Sequence, residues 1–207
     1  MRPPDRIRVK RTPKRGHYDR PTIDAILDEA LICHVGLEVE GQPYVIPTLH
    51  ARVGDRLYLH GSSASRMLRQ AASGARLCAT VTLFDGLVLA RSVFNHSVNY
   101  RSVVVFGTAT LVDEDEKLHA VHALAEQLAP GRWDEARQPS QQELKATSIV
   151  SLPLDEASAK VRTGREEDDE EDLDLPVWAG VVPVYLAAEP GEYDWRRVRD
   201  GRVGPPR

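Results

Sequence analysis

Cysteine is scarce in this chain: only Cys33 and Cys78 occur among its 207 residues. Each lies within an apolar stretch, and neither has a CxxC partner of the kind found in zinc or redox sites. We interpret both as buried thiols of a protein in the reducing cytosol, with a disulfide between them as the alternative.

Long apolar runs are lacking as well. No stretch approaches the roughly 20 apolar residues that a membrane helix requires, and the first eight residues (MRPPDRIR) contain no apolar segment that could act as a signal peptide. The sequence therefore predicts a cytoplasmic protein that does not bind membranes. Its net charge of −4 gives no general attraction for nucleic acid or anionic lipid.

Two glycine-rich nucleotide-binding motifs do not occur. There is no GxGxxG after the first predicted strand and no GxxxxGK[ST] anywhere in the chain. A Rossmann dinucleotide domain and a P-loop are therefore both disfavoured.

Charge is plentiful but unevenly placed. The first 20 residues hold eight arginine and lysine side chains, and residues 166–174 hold eight carboxylates. The two segments could simply be solvated, or they could attract one another within a subunit or across a dimer. A nucleic-acid role for the first segment is disfavoured, because no aromatic residues interleave its charges to stack on bases. We divide the chain into a basic arm (1–20), one domain (21–187, with an acidic loop at 165–175) and a polar tail (188–207).

Three segments of alternating polarity follow a short predicted helix. Alternation predicts strands over residues 33–40, 43–50 and 56–60, which form a meander typical of an antiparallel barrel. Because proline has no N–H to donate, Pro47 is expected at a sheet edge, a bulge or a ligand-facing break. The helix is expected to begin at a Thr22 cap and to bury Ile23, Ile26, Leu27 and Ala30.

The second half of the domain continues the mainly β pattern with helices between strands. A short helix follows residue 66, and strands are predicted at 77–84, 87–94, 100–112 and 148–154, with a turn at Asp85-Gly86. About six strands with peripheral helices favour an antiparallel barrel over a βαβ fold. A helix capped at Asp113 is expected to pack through Leu118, Val121, Leu124, Ala125 and Leu128.

One segment, residues 60–66 (HGSSASR), joins a strand end to a helix start and carries several groups that bind anions. Gly61 allows close backbone approach to a ligand, and the free amides of a helix start attract anions. The hydroxyls of Ser62, Ser63 and Ser65 add donors, and Arg66 adds a planar cation. These residues alone fit either a phosphate site or an ordinary serine-rich helix cap.

Six further motifs stand in order along the chain, at residues 15–19, 43–48, 59–62, 81–91, 99–102 and 177–180. With the Ser65-Arg66 pair, this series resembles the pyridoxamine 5′-phosphate oxidase superfamily, in which a strand, a Ser-Arg pair and a helix grip the phosphate of flavin mononucleotide (FMN). The chain is most similar to the branch of flavin-nucleotide-binding proteins related to nitroimidazole-resistance reductases. The likeness extends over about residues 6–187 and implies a mainly β fold with peripheral helices, an antiparallel split β-barrel of the FMN-binding type.

The resemblance also implies roles for individual residues. Residues 45–48 would line the isoalloxazine and ribityl groups, residues 60–66 would hold the phosphate, and Arg101-Ser102 replaces an Arg-Gln pair beside the flavin. Trp178 is expected to approach the flavin, either within its own subunit or from a partner subunit, because sites in this superfamily lie at a homodimer interface. Met67 stands where the oxidases usually carry lysine. The implied cofactor-binding residues are Val45, Ile46, Pro47, Thr48, His60, Gly61, Ser62, Ser65, Arg66, Met67, Arg101, Ser102 and Trp178.

The resemblance implies an FMN-dependent oxidoreductase acting on a small molecule, with FAD or haem as alternative cofactors. A non-catalytic flavin- or haem-binding carrier stays open, because the substrate-binding arginine motif of the oxidases is not recognisable. The sequence names no catalytic acid or base.

The remaining histidines do not predict a metal site. His119 and His122 stand three apart on a helix without a third ligand, and zinc sites need three or four. His50 and His96 fit either hydrogen-bonded surface positions or axial haem ligation.

Overall fold

The computed structural model describes residues 3–187; the predicted tail at 188–207 lies outside the described residues. The described part contains ten strands, four α-helices and three short 3-10 turns at Pro13–Arg15, Val93–Asn95 and Glu170–Asp172. The strands are β1 (Gly16–His17), β2 (Ile32–Val39), β3 (Gln42–Val53), β4 (Arg56–Ser62), β5 (Arg76–Leu89), β6 (Ser97–Thr108), β7 (Thr110–Leu111), β8 (Thr147–Pro153), β9 (Glu156–Arg162) and β10 (Gly180–Pro183). The helices are α1 (Arg20–Glu29), α2 (Arg66–Ala72), α3 (Glu114–Leu128) and α4 (Gln141–Ala146).

Antiparallel pairing closes the sheet into a barrel. The hydrogen-bonded order runs β5, β2, β3, β4, β8, β7, and β7 follows β6 after one buried residue, Ala109. Because β6 also pairs with β5, the continuous β6–β7 segment joins both ends of this order. Outside the barrel, β9 pairs with β6, β1 with β9 and β10 with β5. The predicted fold class, a mainly β split barrel with peripheral helices, is confirmed.

The barrel is split where β3 and β4 part. The first half of β3, up to Leu49, pairs with β2, whereas only His50–Val53 pairs with β4. Strand β4 pairs with β8 along its whole length, and beyond Leu59 β8 is its one partner in the described sheet. Pro47 lies opposite His34 in this first half, which has β2 as its one neighbour in the described sheet, so the predicted edge position is confirmed. We call the region where the two strands separate, beside α2, the cleft.

Alternation along the strands fills the barrel with apolar side chains, as in Cys33, Val35 and Leu37 on β2. Helix α1 adds its buried stripe to this core. The predicted Thr22 cap is wrong: Asp19 is the cap, and its carboxylate accepts the Thr22 N–H at 3.0 Å. The cap can lie three residues earlier because Pro21, which lacks an N–H, is suited to a first turn.

Two predicted elements differ from the structure. The Asp85-Gly86 turn is wrong, because β5 continues through it with a β-bulge and ends at Leu89, so residues 87–94 are not a separate strand. Glycine at position 86 instead allows β10 to pack closely on β5, because a Cβ on Gly86 would lie 2.8 Å from the Val182 carbonyl oxygen on β10. The buried face of α3 is formed by Lys117, Ala120 and Leu124, whereas the predicted core residues Leu118 and Leu128 are exposed.

Both charged segments contact the barrel rather than each other. Ile7 of the basic arm is buried, and Arg6 pairs with Glu156 on β9. In the acidic loop, Asp168 accepts hydrogen bonds from Arg91 at 2.7 and 2.6 Å. Within residues 3–187, no helix has the length and apolar character needed to cross a membrane.

Candidate functional site

The cleft between β3 and β4 is bordered by α2. At its inner end, the Thr48 hydroxyl donates to the His60 carbonyl at 3.3 Å. Towards the mouth, the guanidinium carbon of Arg66 lies 4.9 Å from the centre of the Tyr44 ring. Thr48 on β3 thus contacts the backbone of His60 on β4, and Arg66 on α2 contacts Tyr44, four residues before Thr48 on β3.

Arg66 is the cation of this cleft. It is the first residue of α2 and is exposed, and no carboxylate pairs with it in the described part of the chain. The aromatic face of Tyr44 attracts the guanidinium and restricts where it lies. A fixed cation with unused N–H donors is suited to a phosphate or carboxylate ligand.

The serine-rich turn satisfies most of its own amides. The Ser65 N–H donates to the Ser62 carbonyl at 2.8 Å, the Ala64 N–H to the Ser62 hydroxyl at 3.2 Å, and the Ser63 N–H to Ala146 at 3.0 Å. These three backbone donors, which precede α2, are therefore not free for an anion. The Ser65 hydroxyl makes no capping hydrogen bond.

His60 supplies a buried polar atom without a partner. Its Nδ1 is inaccessible to solvent and has no hydrogen-bond partner. Burial lowers the pKa of His60 because desolvation disfavours the imidazolium, so the ring is neutral at physiological pH. Buried ring nitrogens are normally hydrogen-bonded, so this atom marks a place where a polar ligand group fits.

Gly61 and Met67 act through packing. A Cβ on Gly61 would lie 3.1 Å from the Leu68 side chain, so glycine allows β4 to approach α2 closely. Met67 is buried in the barrel core, which leaves only its backbone near the cleft. These two predicted site residues set the position of α2 relative to β4.

Arg101 and Ser102 make hydrogen bonds to other residues of the same chain, away from the cleft. Arg101 pairs with Glu29 and with Asp85, and these hydrogen bonds raise the pKa of its guanidinium. The Ser102 hydroxyl donates to the Lys160 carbonyl at 3.3 Å. Arg101 lies opposite Leu83 on β5.

Trp178 lies at the far end of the sheet from Arg66. It precedes Gly180, which pairs with Leu89 at the end of β5, whereas Val45 belongs to the row of Cys78 near the start of β5. Eleven residues of strand correspond to about 36 Å. The structure therefore does not bring Trp178 to the cleft of its own chain.

The histidines that the sequence offers as haem ligands are engaged elsewhere. His50 is fully buried, and its Nε2 donates to the Leu27 carbonyl at 3.0 Å. His96 Nδ1 accepts the Ala90 N–H at 3.1 Å, so the neutral ring carries its proton on Nε2. His122 packs edge-on against Trp133, and residues 3–187 contain no cluster of three or more histidine, cysteine or acidic residues that could hold a metal.

Tyr44 is a site residue that sequence reasoning missed. It directly precedes the stretch proposed to line the flavin, but its stacking partner Arg66 stands 22 residues later in another element. No local pattern connects the two, and the contact arises only because the chain turns back through β4. The one available signal was an aromatic residue next to a proposed binding stretch.

A closed antiparallel barrel, split along one seam with a Ser-Arg turn and a helix beside the seam, defines the split-barrel class. Residues 19–161 match the family model described as pyridoxamine 5′-phosphate oxidase, and the chain belongs to this family. A comparison with curated proteins found no match.

Three solved structures resemble the chain to different degrees. The flavocytochrome Anf3 from Azotobacter vinelandii is 44% identical, covers 99% of this chain and 94% of its own, and has a TM-score of 0.86. The FAD and haem binding protein from Mycobacterium smegmatis is 36% identical over 93% of this chain and 94% of its own, with a TM-score of 0.83. A structure described as a 5-nitroimidazole antibiotic resistance protein, from Bacteroides thetaiotaomicron, is 25% identical over 70% and 86%, with a TM-score of 0.58.

Proposed function

We propose that the protein binds a flavin nucleotide in the cleft between β3 and β4, with the flavin phosphate on Arg66. The observation that carries the proposal is an arginine with no carboxylate partner in the described chain, stacked on Tyr44 at 4.9 Å. Ser65, the residue before Arg66, has a hydroxyl that makes no capping hydrogen bond. Charge-assisted hydrogen bonds from such a guanidinium suit a phosphate monoester or diester.

The remaining walls of the cleft suit the flavin ring. The first half of β3 has β2 as its one described neighbour, so backbone groups of residues 45–48 can hydrogen-bond a planar heterocycle. The neutral His60 ring offers its unpaired Nδ1 to the ligand. A bound flavin would supply the electron chemistry, while these residues bind and orient it.

The phosphate site by itself fits FMN and FAD equally, because both carry a phosphate on the ribityl chain. The sequence resemblance favours FMN, and the relative from Mycobacterium smegmatis is described as binding FAD. Mass spectrometry of the cofactor released from purified protein identifies which of the two is bound.

The absorption spectrum of the purified protein tests the proposal directly. We expect an absorption band of bound flavin at about 450 nm, either in the protein as purified or after flavin is added. The colour belongs to the cofactor, which the protein binds. A colourless protein that leaves the fluorescence of added FMN and FAD unchanged would contradict flavin binding.

We further propose that the bound flavin acts in an oxidoreductase with a small-molecule substrate. The solvent-accessible edge of β3, where Val45 is 69% exposed, supports access of a second molecule to the ring. Stopped-flow mixing with a nicotinamide or reduced deazaflavin donor tests this proposal. Flavin reduction no faster than that of free flavin would favour the non-catalytic carrier.

Haem is the second candidate, since two of the relatives reported above are described as a flavocytochrome and as an FAD and haem binding protein. His50 and His96 do not fit an axial role in their observed positions. We propose His60, whose buried Nδ1 has no hydrogen-bond partner, as the candidate axial ligand. A Soret band that disappears in His60→Ala, but persists in His96→Ala, is the expected result for haem ligated by His60.

We also propose a homodimer in the cytoplasm. Exposed apolar side chains continue across the outward side of β2, β5, β6 and β10, hereafter the outer face, and an apolar face of this kind favours association. Both cysteines are free, in support of a reducing compartment. The outer face is formed by Ile32, Phe84, Leu87, Val98 and Val182.

A further inference from the structure

A cavity of about 380 Å³ opens beside the start of β5 and the end of β6, hereafter the side cavity. Its volume lies within the range of about 300–1,000 Å³ that is usual for small-molecule sites. The turn between β8 and β9 forms one wall, and the basic arm contributes to another. The side chains that determine its chemistry are those of Arg6, Arg76, Phe106, Thr108, Asp155 and Glu156.

The side cavity is separate from the cleft and from the apolar residues of the outer face. Val45 on β3 and Phe106 on β6 belong to one row of the sheet, with β2 and β5 between them. Three strand spacings correspond to about 14 Å. Along β5, the distance from Arg76 to Phe84 is about 26 Å by the ordinary rise per residue. A ligand in the side cavity therefore requires neither a flavin nor a second protomer.

Strand pairing places the lining side chains together. Arg76 and Thr108 lie directly opposite each other on β5 and β6. Phe106, two residues before Thr108, lies on the same side of β6, and Glu156 is opposite Phe106 on β9. The side cavity therefore combines a half-buried aromatic ring with a hydroxyl and several charged groups.

The charges of the side cavity are balanced, but only half of them are paired. Arg6 forms an ion pair with Glu156. Arg76 and Asp155 are exposed, and within residues 3–187 neither side chain forms an ion pair or a hydrogen bond with the other or with any further group. One cation and one carboxylate that line the same cavity are thus available to a ligand.

These two available charges limit which ligands fit. A simple anion bound to Arg76 would lie near the carboxylate of Asp155, and a simple cation bound to Asp155 would lie near the guanidinium of Arg76. An uncharged ligand would displace water from both charged groups without replacing its hydrogen bonds, which is unfavourable. A molecule with both a carboxylate and an ammonium group provides a charge-assisted hydrogen bond to each.

We propose that the side cavity binds a small zwitterion with an apolar side group, such as an α-amino acid. The ligand carboxylate accepts hydrogen bonds from Arg76, and the ligand ammonium group donates to Asp155. The apolar group packs on Phe106, and the Thr108 hydroxyl offers the carboxylate a further donor. This site is additional to the flavin cleft.

Titration of the full chain with L-phenylalanine and two analogues tests the proposal. Phenylalaninamide lacks the carboxylate, and phenylpropionate lacks the ammonium group. Each analogue should bind at least about tenfold more weakly than phenylalanine, because each loses one set of charge-assisted hydrogen bonds. Isothermal titration calorimetry measures the three dissociation constants. Amide chemical shifts of the isotope-labelled chain should change at Arg76, Thr108 and Asp155.

Two substitutions assign the charges of the ligand to the charges of the protein. Arg76→Ala should weaken phenylalanine and phenylpropionate at least about tenfold and leave phenylalaninamide unchanged. Asp155→Asn should weaken phenylalanine and phenylalaninamide and leave phenylpropionate unchanged. The matched controls Arg11→Ala and Asp134→Asn remove exposed charges that do not line the side cavity, so all three constants should stay at their wild-type values.

Neither Arg76→Ala nor Asp155→Asn should alter thermal unfolding, because both side chains are exposed. The proposal would be overturned by the absence of saturable phenylalanine binding, or by chemical shift changes confined to the cleft. Equal weakening of all three compounds by either substitution would overturn it too. Phenylpropionate that binds as tightly as phenylalanine would also contradict it, since the ammonium group would then make no contact.

Discussion

At the scale of single residues, Arg66 should discriminate between phosphorylated and unphosphorylated flavins. Arg66→Ala removes charge-assisted hydrogen bonds worth about 1.5–3 kcal/mol, so FMN should bind roughly 10- to 150-fold more weakly. Riboflavin, which has no phosphate, should bind nearly as it does to the wild type. Quenching of flavin fluorescence in parallel titrations measures both constants.

Arg11→Ala is the control for loss of a positive charge alone, because Arg11 is exposed in the basic arm, which joins the sheet through β1 and β9 outside the barrel. It should leave both flavins unaffected. Equal weakening of FMN and riboflavin by Arg66→Ala would show that Arg66 does not contact the phosphate.

His50 should make the stability of the protein sensitive to acid. Burial lowers the pKa of this ring below the ordinary 6.5, so the unfolded chain binds a proton that the folded chain resists. The free energy of unfolding therefore has its full value above pH 6.5. It decreases as the pH falls below 6.5, by at most about 1.4 kcal/mol per pH unit for this one group. Urea unfolding at about pH 7 and about pH 5 measures the loss, to which His60 contributes with the same sign.

His50→Gln keeps a donor for the Leu27 carbonyl but has no titrating ring, so its stability should depend less on pH. His119→Gln, on the exposed side of α3, should retain the wild-type dependence. The same pH dependence in His50→Gln as in the wild type would assign the effect to other groups.

At the scale of elements, sequence periodicity predicts the strands and helices whose buried side is determined by residues close together in the sequence. Strands β2, β3 and β4 were predictable because one side of each is buried and their turns occur at glycine. The Asp85-Gly86 pair looks like a hairpin turn, yet β10, distant in sequence, pairs with β5 there and extends it. For α3, the apolar positions Leu118 and Leu128 do not define the buried side, because the aliphatic stem of Lys117 covers part of it.

Gly86 is expected to be needed for β10 to pair with β5. In Gly86→Ala, the new methyl group would lie 2.8 Å from the Val182 carbonyl, so β10 must move away. We expect a loss of about 1–3 kcal/mol, as for other overpacked positions. Amide hydrogen exchange at Val181 and Val182 should accelerate more than elsewhere in the barrel.

Gly36→Ala provides a matched glycine on the neighbouring strand β2. Its Cβ would lie 3.5 Å from the Cys78 carbonyl, an ordinary contact. This variant should keep the wild-type exchange at β10. Unchanged exchange in Gly86→Ala would mean that β10 tolerates the methyl group.

At the scale of the whole molecule, the outer face should hold two protomers together. Phe84→Glu places a carboxylate in the centre of this face, and burying it without a partner costs several kcal/mol, on the order of the penalties for unpaired buried charges. We expect a monomer by light scattering coupled to size exclusion, with flavin affinity reduced as well.

Leu111→Glu changes another exposed apolar residue, on β7 outside this face, and should remain dimeric. A dimeric Phe84→Glu protein would place the interface elsewhere.

The order of motifs was sufficient to predict the split barrel, and the family match over residues 19–161 agrees with it. Distances between motifs were not predictable. Arg66 and Trp178 are assigned to one site by resemblance, yet about 36 Å of β5 separates them, by the ordinary rise per residue of a strand. A linear series of motifs contains no information on which chain contributes each residue to a shared site.

Barrel closure also constrains the order in which the chain can fold. The β2–β4 meander and the β5–β6 hairpin join neighbouring segments and can form as soon as their residues leave the ribosome. Strand β4, however, must wait for β8, whose pairing joins Ser62 with Thr147 and Arg56 with Pro153. Until β8 has been synthesised, β4 and β7 expose unpaired edges that invite association with other chains. Insertion of β8 is therefore the expected late step of folding, and nascent chains that stop before it are the species most prone to aggregate.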